Sequence, residues 1–151
     1  MMNPMSTEAI YVAKKTEIKG IARDTLEFIL NASKSSHPEE FAGLLEEVDG
    51  VITNVILLPG TISSSMGARI QFDMMPLHLS SVGSVHSHPT PNNHPSKADL
   101  HFFARKGDYH IIVGYPYSNE SWACYNAKGE ERNLKVLDLV PDPSSESDTI
   151  W

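Results

Sequence analysis

A chain of 151 residues, 40% hydrophobic and 21% charged, suits one domain with a real core and has neither disordered nor membrane composition. Its formal net charge of −7 repels a phosphate backbone, which argues against nucleic-acid partners. No apolar run nears the ~20 residues of a membrane helix, and the single cysteine, Cys124, excludes an internal disulfide or a multi-cysteine zinc cage.

A reducing, cytoplasmic setting without membrane contact is the expectation, and residues 1–9 read as a loose end with no secretory leader. Ala9 to Val12 is a short extended segment. From Gly20 to Ser35, Ala22, Leu26, Ile29 and Leu30 recur at helical spacing, while Arg23, Glu27 and Lys34 take the wet face. Pro38 ends that helix because it cannot continue one. Phe41 to Leu45 and Val51 to Leu58 are predicted strands, joined through Asp49-Gly50, a strong hairpin pair. Residues 60–68 are a loop of small polar side chains suited to line an opening. Arg69 to Phe72 reads as a short strand and Met74 to Leu79 as a brief helical turn. Val82 to His88 is a strand stopped by Pro89, and residues 90–95 form a loop. Ser96 to Lys106 makes a second helix, followed by strands at 110–115 and 121–126, the latter holding Cys124 as a core thiol. Lys128-Gly129 turns the chain into a last strand near 132–137. From Asp138 onward the tail is acidic and rich in proline and serine, and is expected to be flexible. The pattern predicts one α/β domain over 1–137, a mixed β-sheet with two main helices, and a tail over 138–151.

The chemistry gathers at one strand-to-helix junction. Side chains alternate along a strand, so Ser84, His86 and His88 point the same way and two imidazoles converge at its end. Asp99 arrives from the first turn of the following helix. Two imidazoles and a carboxylate leave a fourth tetrahedral position open, which separates catalytic zinc sites from closed structural ones. Zinc there polarises a carbonyl and lowers the pKa of a water to ~7. The same ligand types also describe the facial triad of iron oxygenases. Ser96-x-x-Asp99 doubles as a helix-capping pattern, and capping does not prevent either side chain from serving the site.

His86-Ser87-His88-Pro89, then Ser96 and Asp99, resembles the H-x-H-P and S-x-x-D motif of the JAMM (MPN+) metalloproteases. Glu40, in Glu40-Phe41-Ala42-Gly43, stands where that family carries an upstream glutamate. The similarity spans roughly residues 20–137, and the compact 90–95 loop looks like the prokaryotic and archaeal members. The resemblance implies an MPN, cytidine-deaminase-like architecture, with zinc held by His86, His88 and Asp99. It further implies that Glu40 is the general base and later returns the proton to the leaving amine, while Ser96 donates to the oxyanion. The bond implied is an amide, commonly the isopeptide at the C-terminus of a ubiquitin-like protein. Glu39 faces the other way on an extended segment and reads as a solvated charge. His94 and His101 read as non-ligands. The short Tyr115–Glu120 connection lacks the insertion of linkage-specific deubiquitinating members. A simpler ubiquitin-like or sulfur-carrier protein, its extended tail pairing with a sheet edge, is therefore the expected partner. A non-catalytic MPN scaffold and a small-peptide amidase are the alternatives, and the sequence has no handle on oligomeric state.

Overall fold

The computed structural model describes residues 17–57 and 81–139. Strand β1 (Gly20–Ala22) leads directly into helix α1 (Arg23–Ser36), whose buried stripe is Thr25, Leu26, Ile29, Leu30 and Ser33. Ser33 can sit in that stripe because its hydroxyl donates to the Ile29 carbonyl at 2.8 Å. Strands β2 (Ala42–Val48) and β3 (Val51–Leu57) follow as a hairpin. Its turn places Asp49 at φ 53° and Gly50 at φ 86°, the left-handed pair that matches the twist of a β-ribbon. The remaining elements are β4 (Ser81–Ser87), α2 (Lys97–Phe103), β5 (Tyr109–Val113), β6 (Trp122–Tyr125), β7 (Glu131–Arg132) and β8 (Val136–Leu137).

Among the described residues, eight strands form one sheet in the order β7-β6-β5-β4-β2-β3-β1-β8. The β1–β3, β1–β8 and β4–β5 pairs are parallel and the others antiparallel. Alternation along the central strands divides the core between two faces. Leu45, Val85, Ile111 and Val113 pack with the α1 side chains Leu26, Ile29 and Leu30. Ala42, Leu44, Ile112 and Tyr125 pack with Phe102 and Phe103 of α2. The mixed α/β sheet with two helices therefore agrees with the sequence-based expectation.

Three elements differ from that expectation. Gly20–Ala22 is a strand rather than helix, because Gly20 and Ile21 pair with Val51 and Ile52. A side chain at Gly20 would stand 2.4 Å from the Lys135 carbonyl oxygen, so only glycine lets β8 approach. The second helix stops at Phe103, and Arg105 and Lys106 turn back onto Phe102 and Phe103 through shorter-range backbone bonds before Gly107 at φ 104°. The single strand near 132–137 is two. Glu131–Arg132 pairs with β6 at one edge of the sheet, whereas Val136–Leu137 pairs with β1 at the other. Leu134 is buried between them, so the segment is a strap that crosses the core and not a ladder rung. The expectations for residues 9–12, 59–80 and the tail beyond 139 lie outside the described residues.

One buried group ties sheet to helix. His110 has no exposed surface, and its ring stacks on Phe103 with centroids 4.1 Å apart. Its Nε2–H donates to the Gly107 carbonyl at 3.0 Å, so Nδ1 accepts from the Ser84 hydroxyl at 2.8 Å. Burial disfavours the charged ring and pushes His110 down to about 4. Burial likewise pushes the Cys124 thiol up to about 12, which leaves it unreactive in the folded chain.

The His110 environment predicts a pH dependence of stability. Between pH 6.5, the ordinary histidine value, and about 4, the unfolded chain binds a proton that the folded chain refuses. The stability from this group is complete above that window and falls by up to roughly 3 kcal/mol as the pH drops through it. Thermal unfolding across this range should show a shallower slope in His110→Gln than in the parent. Equal slopes would mean that His110 is protonated in the fold.

Candidate metal centre

The site begins with the pairing of β4. On one side His86 lies opposite Ala42 of β2, and on the other opposite Ile112 of β5. The ladder continues one residue past the strand, because His88 N–H donates to the Val113 carbonyl at 2.7 Å. Ser87 points away from the two histidines. Its hydroxyl accepts from Phe41 N–H at 2.8 Å and its own N–H donates to the Phe41 carbonyl at 2.9 Å. That reciprocal pair secures the entry to β2 and brings Glu40, the preceding residue, beside the imidazoles.

Three donors meet here. His86 Nε2 and His88 Nε2 are 3.1 Å apart, and the Asp99 oxygens lie 3.3 Å from the first and 3.7 Å from the second. Metal–nitrogen bonds of about 2.0–2.1 Å at a tetrahedral angle set neighbouring donors about 3.3 Å apart, so the spacing fits one small cation. The His88 tautomer fits as well. Its Nδ1–H donates to the Asn92 carbonyl at 2.8 Å, which turns the Nε2 lone pair toward the site. Among the described residues this is the one His/Cys/Asp/Glu group able to hold a metal, with its donor atoms all within 4.8 Å of one another.

Asp99 serves two structures at once. Its Oδ2 accepts from Ser96 N–H at 2.9 Å, while Asp99 N–H donates to Ser96 Oγ at 3.1 Å, completing a capping box at the start of α2. The carboxylate is nevertheless buried against His86 and His88. Burial alone would raise its pKa, but the facing imidazoles of His86 and His88 win and hold it well below the usual carboxylate range. Burial also opposes the charged form of His88, and its bonds to Asp99 and the Asn92 carbonyl outweigh that, so its pKa rises. Glu40 is half-buried, and burial lifts its carboxyl above the ordinary value despite the pull of His86 and His88.

The structure thus brings Glu40, His86, His88 and Asp99 together, with Ser96 exposed at the helix start above Asp99. Glu39 is exposed, and His101 is exposed on α2. His94 is also exposed, its ring 3.5 Å from the Tyr125 hydroxyl and outside the donor group. Sequence reading missed the supports of the site. Tyr117 donates from its hydroxyl to the His88 carbonyl at 3.2 Å, and Tyr125 and Ser121 hold the loop residue Asn93 through bonds of 2.8 and 3.1 Å. A loop carbonyl such as that of Asn92 has no residue-type signature, and Tyr117 stood out only as part of a Tyr-Pro-Tyr connection.

The model of prokaryotic homologues of the JAB domain matches residues 22–125, more than half of the chain. The chain belongs to the JAMM (JAB/MPN) family. A probable metalloprotease of Haloferax volcanii is 43% identical over 143 residues, covering 87% of this chain and 88% of that protein. A JAB1/MPN domain protein from Archaeoglobus fulgidus is 44% identical, with a TM-score of 0.65 over 82% of this chain and 100% of its own. A structure described as a JAMM metalloprotease-like zinc site in the proteasome and signalosome is 42% identical, with a TM-score of 0.64 over 80% of this chain and 99% of its own. The α/β sheet described above is accordingly an MPN fold, and the JAMM family is one of metal-dependent peptidases.

The capping box makes a prediction about Ser96 that is independent of metal. Ser96→Ala removes the acceptor for Asp99 N–H and should lower the unfolding free energy by about 1 kcal/mol, whereas Ser96→Thr should keep most of it. Urea denaturation measures both. No loss in Ser96→Ala would show that the cap does not stabilise α2.

Proposed function

We propose that the chain is a zinc-dependent isopeptidase that cuts the amide bond at the C-terminus of a ubiquitin-like or sulfur-carrier protein. The observation that carries this reading is a half-buried glutamate of raised pKa beside a largely buried His-His-Asp donor group. The probable metalloprotease relative and the zinc site named for a solved homologue support it.

His86, His88 and Asp99 are the proposed ligands, and Ser96 and Glu40 the proposed catalytic groups. Zinc bound there supplies a Lewis acid for the scissile carbonyl and acidifies the attacking water. Asp99 stays ionised throughout, because two imidazoles and the Ser96 N–H face it. Glu40 takes the proton of the attacking water. Its raised pKa suits that role and the next one, since a carboxyl nearer neutrality also gives the proton readily to the leaving amine. Ser96 Oγ already accepts from Asp99 N–H, so its own proton is free to be donated to the oxyanion as the carbonyl is attacked. The products are a carboxylate on the carrier protein and a free amine.

The substrate class rests on two features of the sheet. Beyond Ile52 the outer edge of β3 has no strand partner among the described residues, because β1 pairs only with Val51 and Ile52 before it turns into α1. The edge ends at Leu57, exposed and opposite Gly43, next to the residue that pairs with His86. An extended tail added there by backbone hydrogen bonds would run toward the metal centre. Meanwhile β5 and β6 are joined by residues 114–121 alone, which leaves no insertion to hold a second ubiquitin. A cytoplasmic setting is part of the proposal. No helix among the described residues is long and apolar enough to cross a membrane.

The test uses fusions of a ubiquitin-like domain to a lysine ε-amine, with and without a zinc chelator. Cleavage should stop with the chelator and return with zinc. Glu40→Gln should keep its zinc by mass spectrometry and lose about 10²–10⁴-fold in kcat. Cleavage that ignores the chelator, or full turnover by Glu40→Gln, contradicts the mechanism. Tight zinc with no cleavage of any fusion points instead to a scaffold or a small-peptide amidase.

A further inference from the structure

Glu40 is held at both ends. Downstream, Phe41 is bonded to Ser87 between the two histidines. Upstream, His37 caps α1 through its N–H to the Ser33 carbonyl at 3.2 Å and sends its ring toward the β5–β6 connection. There its Nδ1 lies 2.7 Å from the Tyr117 hydroxyl, which in turn lies 3.2 Å from the His88 carbonyl oxygen. A carbonyl only accepts, so Tyr117 gives its single proton to His88, and His37 must carry a proton on Nδ1 to donate to the tyrosine oxygen. The order runs one way: His37 N–H to Tyr117 O–H to His88 C=O.

The surroundings hold Tyr117 in place. Tyr117 is 3% exposed, and its ring packs edge-on against His37 at 5.6 Å and Tyr115 at 5.7 Å. Tyr117 N–H bonds the Gly114 carbonyl at 2.9 Å, which keeps the ring in place at φ 64°. Packing alone needs only the ring, as phenylalanine would provide. The hydroxyl adds a link between the cap of α1 and the backbone of a metal-ligating residue. Burial raises the Tyr117 pKa, with smaller contributions from Tyr115 and the charge of Glu40.

We propose that His37 and Tyr117 form a hydrogen-bonded strut that positions Glu40 against His88, and so governs turnover rather than zinc affinity. They are positioning residues, acting through the segment His37–Glu40 and through the His88 carbonyl. The proposal rests on the reading of Glu40 as the base. A base displaced by a fraction of a bond length meets its proton less often, while three intact donors still hold the metal.

The experiment compares zinc-loaded full-length parent, Tyr117→Phe, His37→Ala, His37→Asn, the Tyr117→Phe/His37→Ala pair and Glu40→Gln on the same ubiquitin-like fusion. Tyr117→Phe and His37→Ala should each lower kcat about tenfold, with KM and zinc content unchanged. The double variant should be no worse than either single one, because both remove one link. His37→Asn, which keeps an N–H donor near the Nδ1 position, should recover most of the loss. Unchanged kcat in Tyr117→Phe alongside an inactive Glu40→Gln overturns the strut and leaves the base standing. An active Glu40→Gln overturns the base assignment itself. A second readout does not depend on turnover: nitrogen NMR of the imidazoles should find His37 protonated at Nδ1 in the parent and shifted toward Nε2 in Tyr117→Phe. An Nε2–H tautomer in the parent overturns the proposal.

Discussion

The Asp99 carboxylate is bonded on two sides, by the first turn of α2 through Ser96 N–H and by the imidazoles of His86 and His88. A buried anion is costly unless it is paired and fully hydrogen-bonded, and losing one partner of such a pair costs about 3–5 kcal/mol. The negative charge therefore demands a cation among the histidines, which a protonated imidazole supplies in part and a divalent metal supplies fully. That demand couples folding to metal binding: the capping box sets the direction of the carboxylate before any ion arrives. It also explains why α2 is only Lys97–Phe103 and yet well placed. Phe103 stacks on His110 behind it, so the helix is fastened at its start by the cap and at its end by the core.

The other half of the site comes from the sheet. The pairing of β4 with β2 on one side and β5 on the other fixes the backbone of His86 at a strand end. Ser87, pointing to the opposite side, bonds Phe41 and carries Glu40 into range. One tripeptide thus supplies two donors outward and one anchor for the acid-base group. The central strands are covered by α1 on one face and α2 on the other, so a shift of either helix would move the site only by breaking a packed core.

Much of this was legible because it is local. The His-x-His alternation and the Ser-x-x-Asp spacing are properties of a single strand and a single turn, and both sit where those rules place them. The Asp49-Gly50 hairpin is equally local, and both residues adopt the left-handed conformation it requires. Glu40 was different. Nothing near it in sequence marks it as part of a site, and only its likeness to a family motif separated it from Glu39. Its environment is created by the pairing of β2 with β4, whose partners Ala42 and His86 are far apart in the chain. The same holds for His37 and Tyr117, separated by 80 positions. Strand β1 is three residues long, too short to show alternation, and its apolar residues continue the helical spacing of α1. The strap that leaves β7 at one edge and joins β8 at the other reads in sequence as one strand, because both ends are extended.

The most direct test of the central claim is anomalous diffraction at the zinc edge from crystals of the chain with one equivalent of zinc. One peak should appear within about 2.0–2.2 Å of His86 Nε2, His88 Nε2 and an Asp99 oxygen. The same map should show the Asp99–Ser96 capping bonds intact. A zinc peak elsewhere, or none between these three side chains, would contradict the account.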